Sequence, residues 1–134
     1  MDIVVDFPGG ARVDAHFGEF TIATDQPTQG GGQDSAPTPF DTFLASIGTC
    51  VGIYVLGFCK ERGLPTDDIR VVQRVYRNNN DHGMVDKIDL KLQVPPSFPD
   101  KYYNALIRSA SQCLVKKHLE KPPQFDINTE IIQP

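Results

Sequence analysis

Three cysteines, Cys50, Cys59 and Cys113, carry the covalent chemistry open to this chain. A cysteine reacts as its thiolate, so its reactivity follows how far its surroundings lower its pKa. A thiolate oxidised by a peroxide becomes a sulfenic acid, and a second thiol condenses with that to a disulfide. The same side chain in apolar surroundings is a small inert hydrophobe. The histidines, His16, His82 and His118, are dispersed, and no C-x-x-C spacing accompanies them, so no metal centre and no cofactor are expected. Gly30, Gly31 and Gly32 lack the following Lys-Ser/Thr of a phosphate-binding loop, and residues 25–37 read as a mobile surface loop.

The element that must position Cys50 is a helix over 39–62. Thr38 is its cap, Pro39 suits its first position, and Asp41 completes a capping-box spacing. No charge appears from residue 42 to residue 59, and a helix apolar on all sides is buried. The length approaches that of a membrane span. Ser46, Thr49 and three glycines argue against that, as does the polar remainder of the chain. Gly48, Gly52 and Gly57 each lower helix propensity by up to ~1 kcal/mol relative to Ala, which points to close approach by another helix or a partner subunit. Gly63 and Pro65 end the helix, with Lys60 and Arg62 in its last turn. Cys59 falls on another side of the helix from Cys50 and reads as structural.

Around this helix the expected order is a strand meander (3–7, 12–17 and 20–24, with Phe20 and Ile22 facing inward), the helix, and a hairpin (69–77 and 84–94). A second helix follows, running to about residue 120, then a closing strand alternating Phe125, Ile127, Thr129 and Ile131. Asp86 interrupts the apolar alternation of the second hairpin strand. The second helix has an apolar stripe of Tyr103, Leu106, Ile107, Ala110, Cys113 and Leu114, which places Cys113 on its buried face. The expected class is α+β, two helices against antiparallel sheet, as one domain over 1–134. The net charge of −4, with no basic stripe, argues against nucleic acid as a partner. The odd cysteine count and the lack of a signal-like start point to the cytoplasm.

Residues 38–50, Thr-Pro-Phe-Asp-Thr-Phe-Leu-Ala-Ser-Ile-Gly-Thr-Cys, and 111–115, Ser-Gln-Cys-Leu-Val, resemble the OsmC/Ohr family of osmotically inducible and organic-hydroperoxide-resistance proteins. The resemblance covers nearly the whole chain and implies an intertwined homodimer with buried central helices. It also implies a thiol-dependent peroxidase preferring organic hydroperoxides. In it Cys50 attacks, Cys113 resolves, and a dithiol reductant, lipoylated in some members, restores the pair. Leu114 stands where proline is common in the second motif. Phe40 stands where an Ohr-type site has Glu, with Asp41 one place later, and Arg12 is the best match to the family's arginine.

Cys50 is about three turns into its helix, beyond the reach of its own helix dipole, so a cation is expected to activate it. Arg12 is the candidate, held by Asp41 through a bidentate pair. Phe40, Phe43, Tyr54 and Phe58 are expected to form an apolar pocket for the peroxide. Two other functions fit the same residues: a non-catalytic dimer binding a small ligand, and a thiol redox sensor.

Overall fold

The central helix forms where its signals stand. In the computed structural model, which describes residues 1–133, helix α1 spans Pro39–Glu61. The Thr38 hydroxyl accepts the Asp41 N–H at 3.1 Å, and the Thr38 carbonyl accepts the Thr42 N–H at 3.0 Å. At the other end Gly63 adopts a φ of +65°. The Leu64 N–H then returns to the Cys59 carbonyl (2.9 Å) and the Gly63 N–H to that of Lys60 (3.3 Å). This Schellman arrangement satisfies two carbonyls that the helix leaves unpaired.

Two compact units divide the chain, Met1–Gly48 and the residues from Thr49 onward. The first holds an antiparallel meander of β1 (Val4–Gly9), β2 (Arg12–Phe17) and β3 (Phe20–Thr24). Phe17 pairs with Phe20 across a two-residue turn in which Gly18 takes a φ of +55°. That conformation is open to glycine without a Cβ penalty. Phe20 and Ile22, expected to face inward, are exposed, as is every residue of β1.

The second unit begins within α1 and continues with the hairpin of β4 (Arg70–Asn78) and β5 (Met84–Gln93). Its register runs Val71↔Leu92, Gln73↔Leu90, Val75↔Ile88, Tyr76↔Lys87, and then jumps to Arg77↔Val85. Asp86 is the extra residue of this bulge, which explains the interruption of the alternation without placing a carboxylate on the apolar face. The core gathers Val51, Val55, Phe58 and Cys59 of α1 with Phe98, Leu106, Ala110 and Cys113. Each fully buried Val, Leu or Phe here contributes about 1.5–3 kcal/mol.

Three expectations need correction. The second helix is not continuous. A short 3₁₀ turn precedes α2 (Tyr103–Ala110), the chain breaks at residues 111–113, and α3 (Leu114–Glu120) starts afresh. Helix α1 buries one stripe, Leu44, Ile47, Val51, Val55 and Phe58, and not its whole circumference. Ile53 on another face is 58% exposed, and a Cβ at Gly52 or Gly57 would meet nothing within 4 Å. By length and composition α1 also meets the criteria for a membrane span. The closing segment pairs with no strand among the described residues, and Phe125, Ile127 and Ile131 are almost fully exposed.

Candidate active site

Cys50 lies eleven positions beyond Pro39, about 16 Å along the axis at 1.5 Å per residue. Its surroundings come instead from the core cluster that holds Cys113, against which Cys50 and Val115 both pack. The break between α2 and α3 makes this possible. The Ser111, Gln112 and Cys113 N–H groups turn back to the carbonyls of Ile107, Ser109 and Ala110. Cys113 then adopts an extended ψ of 120° and caps α3, with its sulfur accepting the Lys116 N–H at 3.4 Å.

A helix start leaves its first N–H groups without intrahelical acceptors. Here Cys113 supplies two of them, with its sulfur accepting the Lys116 N–H and its carbonyl the Lys117 N–H at 3.1 Å.

These contacts separate the two thiols. The Val115 N–H, foremost, holds the Cys50 pKa below the usual thiol range, against the opposing effect of burial, with Cys113 and Leu114 adding to it. Burial pushes Cys113 upward, and so does the neighbouring Cys50. The pair is therefore arranged as one acceptor sulfur, half-buried, and one donor thiol, fully buried. Cys59, 0% exposed, is also pushed up by burial.

The other expected site residues distribute differently. Arg12 forks onto Asp14 of its own strand, with Nη2 at 2.8 Å from Oδ2 and Nε at 3.3 Å from Oδ1. Asp41, the expected partner, instead receives the helix cap at its N–H. The correction has a simple cause. Residues two apart on a strand project on one face, so Asp14 is Arg12's same-face neighbour.

Phe40 and Phe43 contact one another in the first unit, with centroids 5.6 Å apart. Tyr54 and Phe58 line a cavity of about 410 Å³ in the second unit together with Glu61, Arg62, Arg108 and Ser109. Arg62 stacks on Phe58 at 3.6 Å and donates to its carbonyl. The cavity is thus partly charged and not the purely apolar pocket expected. Among the described residues no three His, Cys, Asp or Glu side chains come together as a metal site.

The amides of Leu114 and Val115 were not foreseeable from residue types, because nothing in Ser111-Gln112-Cys113 announces a helix break by glycine or proline. Asp25 also escapes a reading of the sequence. This carboxylate, 2% exposed, accepts the N–H groups of Gln26 (2.7 Å), Gln33 (3.3 Å) and Ser35 (3.0 Å), and the Ser35 hydroxyl. A Cβ at Gly32 would overlap the Gln26 carbonyl, so only glycine fits the chain there. The loop expected to be mobile is folded around an acid. The Ser35 hydroxyl, foremost, and these amides lower the Asp25 pKa to about 2.

A family model described as OsmC-like protein matches residues 31–128. No curated protein matches the chain. Among solved structures, an osmotic stress induced and detoxification response protein from Psychrobacter arcticus 273-4 superposes with a TM-score of 0.72 at 19% identity, covering 86% of this chain and 85% of that one. An OsmC-like protein from Mycoplasma pneumoniae gives 0.70 at 13% identity, covering 90% and 87%. The organic hydroperoxide resistance protein OhrB of Bacillus subtilis gives 0.51 at 20% identity, covering 88% and 90%. At these identities the likeness is one of fold.

Proposed function

We propose that this chain, which belongs to the OsmC family, is a thiol-dependent peroxidase that reduces organic hydroperoxides through Cys50. The observation that carries the reading is the pairing of two cysteines: Cys50 packs against the core cluster that holds Cys113, with its pKa lowered while that of Cys113 is raised. The Cys50 thiolate attacks the terminal oxygen of ROOH. The O–O bond breaks, the alkoxide leaves and takes a proton as ROH, and Cys50 becomes a sulfenic acid. The Cys113 thiol condenses with it, forming the disulfide and releasing water. A dithiol reductant then reduces the disulfide by exchange and leaves as its own disulfide. A lipoylated protein is one such reductant.

The working form in this reading is a homodimer in the cytoplasm. The exposed Ile53 face of α1 and the unpaired apolar segment at Phe125, Ile127 and Ile131 support a second copy as the missing neighbour. The fold itself accounts for α1 as a core helix, which argues against a membrane role.

The test is the mass of fully reduced protein and its peptides after one equivalent of cumene hydroperoxide and rapid alkylation. A Cys50–Cys113 disulfide formed within seconds, and absent in Cys50→Ser, is the expected result. Two freely alkylated thiols would overturn the reading and favour a non-catalytic ligand-binding dimer. Disulfide formation only over many minutes would favour a redox sensor.

A further inference from the structure

The cavity of about 410 Å³ beside α1 takes no part in the cysteine chemistry. Two contacts fix its walls. The Ser109 hydroxyl donates to the Tyr54 carbonyl at 3.3 Å, and the Phe58 ring meets that of Tyr102 edge-on, with centroids 5.8 Å apart. Later residues of α1 therefore face earlier residues of the α2 segment, and the two run antiparallel along the cavity.

The lining sets the guanidiniums of Arg62 and Arg108 against the single carboxylate of Glu61, a net charge of +1. Arg62 is held in place. Its guanidinium lies 3.6 Å over the Phe58 ring, and Nη1 donates to the Phe58 carbonyl at 3.1 Å. The Glu61 carboxylate, 3.6 Å from the same Nη1, has a side chain 80% exposed and neutralises little of that charge. Nε and Nη2 of Arg62 have no partner among the described residues. Arg108, likewise, makes no hydrogen bond, ion pair or ring contact among them.

We propose that this cavity binds a small aromatic monocarboxylate, with its carboxylate received by the two guanidiniums. A planar guanidinium meets a carboxylate through two parallel N–H···O bonds. Tyr54 and Phe58 supply aromatic walls for the ring. A Cβ at Gly57 would meet nothing within 4 Å, so nothing crowds the cavity there. The volume falls in the range of small-molecule sites. A lining with one net positive charge suits one negative charge, and the second charge of a phosphate ester would be repelled by Glu61. Binding needs neither Cys50 nor Cys113, so it is independent of the peroxidase reading.

The measurement is a titration of ¹⁵N-labelled protein with phenylacetate, followed by ¹H–¹⁵N shifts. The signals of Tyr54, Gly57, Phe58, Arg62 and Arg108 are expected to move together along one saturating curve. Phenylacetamide has the same shape without the charge. It is expected to bind about tenfold more weakly or worse, the effect of losing hydrogen bonds between charged groups. Equal affinity for the two overturns the proposal. Benzyl phosphate, largely a dianion at about pH 7.5, is expected to bind no more tightly than phenylacetate, and tighter binding overturns the choice of a monocarboxylate.

Arg108→Gln changes an exposed side chain with no partner to lose, so its fold is expected to stand by circular dichroism. Its affinity for phenylacetate is expected to fall about tenfold. An unchanged affinity overturns the proposal. Should the variant not fold, the comparison of phenylacetate with phenylacetamide in the unsubstituted protein decides the question. A second copy that sits over Ile53 and fills the cavity would leave all these signals still under phenylacetate, and that result also overturns the proposal.

Discussion

Asp25 in the first unit and Cys50 in the second are both potential anions whose pKa values neighbouring N–H groups lower. They are put to opposite uses. Asp25 has donors on both carboxylate oxygens and is sealed from solvent. Its charge serves to close a glycine-rich loop. Cys50 packs beside the cluster that holds a second thiol, Cys113, and stays half-buried. The lesson is that an amide cradle makes an anion stable, while access and a second reactive group decide whether the anion does chemistry. Cys59 completes the contrast. It sits on the same helix as Cys50 with neither amide donors nor access, and burial, foremost, sets its thiol.

Removing the proposed nucleophile tests that contrast most severely. Cys50→Ser is expected to lower peroxide turnover by about a thousandfold or more, the scale seen when an attacking group is deleted. Turnover followed by loss of cumene hydroperoxide with a dithiol reductant checks it, and residual activity within tenfold of the parent would place the chemistry elsewhere.

Alkylation sharpens the comparison within α1. At neutral pH, Cys50 is expected to react at least about a hundredfold faster than Cys59, because one is a lowered, accessible thiol and the other a raised, buried one. Peptide mass after timed iodoacetamide treatment gives both rates in one sample. Equal rates would erase the distinction.

A stability change follows from Cys59 instead. Cys59→Ala opens a small void in the core and is expected to cost about 1–2 kcal/mol in urea unfolding. Disulfide formation at the other two cysteines should survive it.

The smallest effect concerns Asp25. Its pKa falls from 3.8 to about 2 in the folded state, so the carboxylate stabilises the protein above pH 4 and loses that contribution as pH falls toward 2. Asp25→Asn is expected to flatten the acid limb of the thermal midpoint between pH 4 and pH 2. An unchanged acid limb would mean that the carboxylate carries no net stabilisation.

Much of the fold was legible because its signals are local. The Thr38-Pro39 start and Gly63 stop of α1, the alternation of β2 and β5, and the turns at Gly18 and Gly83 are each written in adjacent residues. The helix break at residues 111–113 was not legible, since the apolar stripe of α2 runs in phase through it and no breaker residue marks it. The site suffered the same limit. The cysteines can be named from the sequence, but donors supplied by the main chain leave no trace in residue types. The expected Arg12–Asp41 pair failed for a related reason. Charge complementarity names a partner by type, whereas Asp14 wins by standing two residues away on one strand face.

The unpaired segment that closes the chain has a consequence for how copies meet. Phe125, Ile127, Thr129 and Ile131 alternate with Asp126, Asn128 and Glu130, and no lysine or arginine lies among residues 124–133. Stacked in parallel and in register, two such segments would set Asp126 on Asp126 and Glu130 on Glu130. Like charges directly opposite one another are destabilising in a sheet. The alternation thus keeps an apolar face while penalising the parallel, in-register stacking from which fibrils grow.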